Sequence, residues 1–120
     1  MKLQSDLFDT AITAYGSGWI MIGRERITHN VVLDSEGQHH PWPCPHFDAL
    51  AAEHFVQLAD AEPELVLFGS GDTIRFPRPA LIRPLIEARI GVETMDTQAA
   101  CRTYNILAGE GRRVLAALLL

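Results

Sequence analysis

Three clusters in this chain hold the residue types that recognition or catalysis needs. The first joins Gly69-Ser70-Gly71-Asp72 to Asp96-Thr97. Each stretch ends an apolar run, and in open α/β sheets ligands gather beyond the carboxyl ends of parallel strands. A glycine-rich turn can aim backbone N–H groups at an anion, and a helix opening at Thr97 would present its positive dipole end there. Arg102, one turn inside that helix, would add a fork-shaped cation. The same residues also make an ordinary turn and helix cap, since Gly69-Ser70-Gly71 lacks the third glycine of a dinucleotide fingerprint and the lysine of a P-loop.

The second cluster runs from His39 to His46, where His39, His40, Cys44 and His46 are all of zinc-ligand type. Their spacing matches no standard finger or ribbon, and Pro41, Pro43 and Pro45 stiffen the backbone between them. The expectation is a solvent-facing, proline-rich loop with no metal, and no cofactor is implied anywhere in the chain.

The third cluster is Arg102-Thr103-Tyr104-Asn105 with Gly109-Glu110-Gly111-Arg112-Arg113. Gln98, Arg102 and Asn105 share one helix face, and Ala100, Cys101, Tyr104, Leu107 and Ala108 form the opposite, buried stripe. Arg112 and Arg113 can satisfy carbonyls at the helix C-terminus or pair with Glu110; alternatively Gln98, Arg102, Asn105 and Arg112 make a polar recognition surface. Cys101 lies where a helix dipole can activate a thiol, yet the alanines before it suit a small core residue better. His54 falls on the apolar face of its helix, as a core-edge histidine would. No nucleophile elbow or zinc-protease signature occurs, so no reaction is assigned.

The elements that would position these clusters follow from periodicity. Apolar runs at 12–15, 19–22 and 27–33, separated by Gly16-Ser17-Gly18 and other turn residues, predict an antiparallel meander. Three- and four-residue spacing predicts a helix over 47–59. Glu64 to Gly69 reads as a strand covered on both faces, followed by a helix near Pro79 that starts late or kinks at Pro84. A strand over 91–95, a helix from Asp96 or Thr97 to Gly109, and a terminal strand over 113–120 complete two strand–helix units with parallel pairing.

At 120 residues, 48% hydrophobic and 21% charged, the chain is expected to fold as a single domain over 1–120 with one core. Its net charge of −5 lacks the broad positive field that nucleic acid or an anionic membrane requires. No apolar window reaches the roughly 20 residues of a membrane span. The first residues, Met1 to Asp6, suit neither a secretory signal nor a transit peptide, so the expected location is the cytoplasm, with Cys44 and Cys101 as reduced thiols.

Several blocks carry a family likeness: Gly18-Trp19-Ile20-Met21-Ile22-Gly23, the Trp42 region, Pro63 to Gly71, and above all Gly91-Val92-Glu93-Thr94-Met95-Asp96-Thr97-Gln98-Ala99-Ala100-Cys101-Arg102-Thr103-Tyr104-Asn105 through Gly109 to Arg113. On them the chain resembles the small domain-of-unknown-function family that includes mitochondrial NADH:ubiquinone oxidoreductase (complex I) assembly factor 3 and an adipogenesis-associated human homologue. The resemblance implies a mixed α/β, three-layer β+β/α fold, with N-terminal antiparallel strands joined to a small sheet of parallel strand–helix–strand units. It implies no established activity, and a protein partner, such as a component of a membrane-associated complex. The expected function is therefore a non-catalytic, protein-binding, assembly-factor-like one. The alternative is a small-molecule or anion-binding protein, conceivably an enzyme, with its site between Gly69–Asp72 and the start of the Thr97 helix.

Overall fold

Tight turns at Gly18 and Gly23, both in the positive-φ region that glycine reaches without strain, fold the first described residues back on themselves. They build a three-stranded antiparallel sheet from β1 (Ile12–Gly16), β2 (Trp19–Ile22) and β3 (Glu25–Ile27). The structure, a computed structural model, describes residues 11–120. The reading of residues 1–6 as lacking a signal lies outside them.

The second sheet has five strands in the order β5-β4-β8-β6-β7. β4 (Val31–Asp34) pairs antiparallel with β5 (His39–Pro41) and with β8 (Val114–Leu118). β6 (Leu65–Gly69) lies parallel between β8 and β7 (Gly91–Met95). The mixed α/β class, the meander and the parallel units all agree with the sequence reading.

The predicted run over 27–33 is not one strand. It breaks at 28–30 and its second half crosses to the other sheet. Asn30 is the cause. Its amide donates to Cys44 O at 2.6 Å and Pro45 O at 3.1 Å and accepts from Leu120 N at 2.7 Å, while its own carbonyl takes Trp42 N at 2.9 Å. An Asn side chain bonding backbone in this way competes with continuation of a ladder.

The His39–His46 stretch also differs from the expected loop. His39–Pro41 is an edge strand, and Trp42 and Cys44 are 3% and 1% exposed. Pro41 is tolerated because an edge position leaves its missing N–H unneeded.

The helix predicted over 47–59 divides into a single 3-10 turn at Phe47–Ala49 and α1 (Ala52–Ala59), because Leu50 and Ala51 take extended-type ψ values. Ala51 has no side-chain acceptor with which to cap the helix. His54 compensates by accepting Ala51 N–H at Nδ1 (3.0 Å), which leaves Nε2 to donate to Pro43 O at 3.1 Å. α2 (Pro79–Glu87) starts with Pro79 in its first turn and contains Pro84, so of the two expected outcomes, a late start or a kink at Pro84, the late start does not occur. The carbonyl that Pro84 leaves unpaired is that of Ala80, an exposed residue. α3 (Thr97–Gly109) and β8 form as predicted.

Alternation along the central strands then separates two apolar layers. Val31, Leu33, Leu67, Val114, Ala116 and Leu118 meet Ala100, Cys101 and Tyr104 of α3 and the isoleucines of the small sheet. Val32, Val66, Phe68, Leu115 and Ala117 meet Trp42, Phe55 and Leu58 with Leu85 and Ile90. The five-stranded sheet is thus the middle of three layers, with α1 and α2 on one side and α3 with the small sheet on the other.

Candidate functional site

The two loops at the carboxyl ends of β6 and β7 do meet. Ser70 N donates to Met95 O at 3.0 Å, Thr97 N to Gly71 O at 2.9 Å, and Gly71 N to the Thr97 hydroxyl at 2.8 Å. That hydroxyl in turn donates to Leu119 O at 2.6 Å. Gly69 permits the approach, since a Cβ there would sit 2.9 Å from Thr97 Oγ1 and 3.1 Å from Thr97 Cα.

The junction engages its polar groups with its own neighbours. Ser70 Oγ donates to Thr73 O and accepts from Arg75 N, Asp96 caps α3 by accepting from Ala99 N at 3.0 Å, and Asp72 accepts from Ser17 Oγ at 2.8 Å. Donors that an anion would use, Gly71 N, Thr97 N and Ala99 N, are therefore engaged within the fold, and two carboxylates stand close by. Gly69, Ser70, Gly71, Asp72, Asp96 and Thr97 make a clamp between strand ends, and that geometry does not favour an anion pocket.

The third cluster separates. Asn105, expected on the recognition face, is turned onto β1: Oδ1 accepts Ile12 N at 2.9 Å and Nδ2 donates to Ile12 O at 2.8 Å. Arg112 lies beyond the far end of α3 and pairs with Glu64 at 3.5 Å, a partner outside the alternatives of helix carbonyls, Glu110 or an open recognition surface. The Arg113 backbone N–H, and after it the Arg112 charge, hold the Glu64 carboxyl below its usual range. Gln98 and Arg102 do face outward, and Arg102 donates to the Tyr15 hydroxyl at 3.3 Å. Ile106, which the sequence reading passed over, continues their stripe at i+4 and is 61% exposed. Its signal was available: it is the one large apolar residue at an outward position of the 98–102–106 series.

The zinc-type side chains disperse. His39 pairs with Glu25 at 3.3 Å, His40 turns to Pro41 O, and the buried Cys44 thiol donates to His46 O at 3.2 Å. Among the described residues no group of three or more His, Cys, Asp or Glu side chains is placed to hold a metal ion.

Cys101 is fully buried between α3 and the sheet, and burial pushes its thiol up to about 12, against a smaller opposing pull from Arg102. The Tyr104 phenol is raised by burial too. Both groups are neutral when protonated, so the folded state holds these protons more tightly than the unfolded chain. Their contribution to stability is complete below about pH 9 and lost as pH climbs toward 12, at about 1.4 kcal/mol per unit for the thiol. Urea melts at pH 8 and pH 10.5 should show this loss, and Cys101→Ala should reduce the slope. A slope identical in Cys101→Ala would remove the thiol from the account.

Fold and site together define a three-layer β+β/α protein whose strand-end polar groups largely bond its own backbone. The chain belongs to the protein family of unknown function DUF498/DUF598, whose model matches residues 12–119. Among its relatives, NADH dehydrogenase (ubiquinone) 1 alpha subcomplex assembly factor 3 of Bos taurus is 35% identical over 80 residues, 65% of this chain and 44% of that protein. The 13 kDa major membrane protein of Francisella tularensis is 30% identical over 66 residues, 55% of this chain and 54% of that protein. The chain thus spans about half the length of these curated relatives. A crystal structure from Bordetella parapertussis superposes with a TM-score of 0.85 at 44% identity, covering 91% of this chain and 93% of that one. No helix among the described residues is long and apolar enough to cross a membrane.

Proposed function

We propose that this chain is a non-catalytic, assembly-factor-like protein that holds a protein partner on the outer face of α3. The observation that carries the reading is the stripe Gln98, Arg102 and Ile106 on α3, with Tyr15 of β1 beside Arg102: an arginine and an exposed aliphatic side chain on a helix, next to a tyrosine. Arginine and tyrosine are enriched among residues that dominate binding energy. The assembly-factor relatives support the partner class, a component of a membrane-associated complex related to complex I. The free thiols of Cys44 and Cys101 support the cytoplasm as its compartment, a point that cell fractionation tests directly.

The test is quantitative co-purification of the tagged chain from its native host, beside Arg102→Ala and Ile106→Ser variants. A specific partner should be recovered with wild type and fall at least tenfold with either variant, while circular dichroism stays unchanged. Undiminished recovery with both folded variants would rule out this face.

A further inference from the structure

Residues 73–86 differ in charge from the rest of the molecule. They contribute Arg75, Arg78 and Arg83 and no acid, in a chain whose net charge is −5. They also present Ile74, Phe76 and Ile86 at 53%, 70% and 58% exposure, three of the five large hydrophobic side chains exposed among the described residues. The outward placement is imposed by the fold. Pro77, between the exposed residues, is buried; Arg75 lies 4.0 Å over the Phe47 ring and pairs with Asp48 at 3.2 Å; and Ser70 Oγ ties Thr73 O to Arg75 N. On α2, Arg83 and Ile86 are exposed three residues apart, whereas Ile82 packs with the buried Leu85 against the core.

We propose that this segment, the 73–78 loop with the outer face of α2, is a docking surface for a protein that offers an apolar pocket rimmed by carboxylates. Charge selects the occupant. Arg78 and Arg83 form no ion pair among the described residues, and with three arginines against the single carboxylate of Glu87 at the end of α2 the complementary surface is acidic. An anionic bilayer is disfavoured, because the remainder of the molecule is strongly acidic and would be repelled from an extended negative plane. A protein partner meets the local patch alone. Phe76, the most exposed of the large hydrophobic side chains, is the anchor, and the arginines set orientation and on-rate. The inference rests on the protein-binding reading above, but its surface lies on the opposite side of the five-stranded sheet from α3.

Fluorescence anisotropy with the full chain and two synthetic peptides, sharing one Leu/Phe core and flanked by Glu in one and Lys in the other, tests it. The Glu-flanked peptide should bind and weaken as salt rises. Phe76→Ser and the double variant Arg78→Ala with Arg83→Ala should each reduce its affinity at least tenfold, with Arg102→Ala unchanged. No binding of either peptide, or equal binding of both, overturns the proposal. So does tighter association with phosphatidylglycerol vesicles, or a dimer in light scattering that Phe76→Ser dissolves, since lipid or a second copy would then be the occupant. Loss with Arg102→Ala but not Phe76→Ser would overturn this surface and leave the α3 reading standing.

Discussion

Phe68→Ala is expected to cost about 3–5 kcal/mol, a large part of the ~5–15 kcal/mol that holds a domain together. Phe68 lies on β6, in the middle of the five-stranded sheet, and is fully buried. Its ring stands edge-on to Trp42 and Phe55, each at 6.0 Å, and tilted to Phe47 at 6.3 Å. It therefore joins α1, the 3-10 turn and the segment after β5 to the sheet, and alanine would remove that common partner. The backbone at a central strand cannot move in to fill the space, so the cavity persists. Urea denaturation followed by tryptophan fluorescence measures the loss, with Phe68→Leu expected to retain more than half of it. A cost below about 1 kcal/mol for alanine would mean that these rings do not act as one packed unit.

Asn105→Ala is expected to cost about 2–4 kcal/mol, because it removes a partner from both the N–H and the C=O of Ile12, groups 93 positions away that this side chain meets at 2.9 and 2.8 Å. Removing a partner from two partly buried backbone groups is worse than removing a hydrogen bond whose partners reach water. Arg102→Ala, one turn away and exposed, should change stability by no more than about 0.5 kcal/mol. Hydrogen exchange locates the effect: protection should fall in β1 and β2 with Asn105→Ala and stay in β6 and β8. Equal stability of the two variants would show that the small sheet does not depend on this clamp. The contrast also guards the binding test, since a partner lost with Asn105→Ala alone reports a loosened sheet.

Much of this architecture was legible along the chain. β6 reads as a doubly covered strand because five consecutive residues from Leu65 to Gly69 offer no polar face, and α3 reads as a helix because Asp96 caps a stripe at 100, 101 and 104. These are local signals, carried within one or two turns. The family was legible for a related reason: the 91–113 block holds strand, cap, buried stripe and the Asn105 clamp in a single run of sequence.

What the sequence by itself determined, then, was the kind and order of most elements and the cover on both faces of the strand at 64–69; that the single core expected divides into two apolar layers was decided by the folded sheet. Tertiary structure alone decided where the polar side chains went. Asn30 ends one strand and begins another only because Cys44, Pro45 and Leu120 come within its reach, and the Thr97 hydroxyl joins two strand ends because Gly71 and Leu119 arrive beside it. Asn105 and Arg102 share a helix surface in sequence, yet one clamps the β1 backbone and the other stays exposed, reaching the Tyr15 hydroxyl at the surface. Hydrophobic periodicity averages over many residues and survives any single exception, whereas a hydrogen bond joins two atoms about 3 Å apart that the chain brings together only once it has folded.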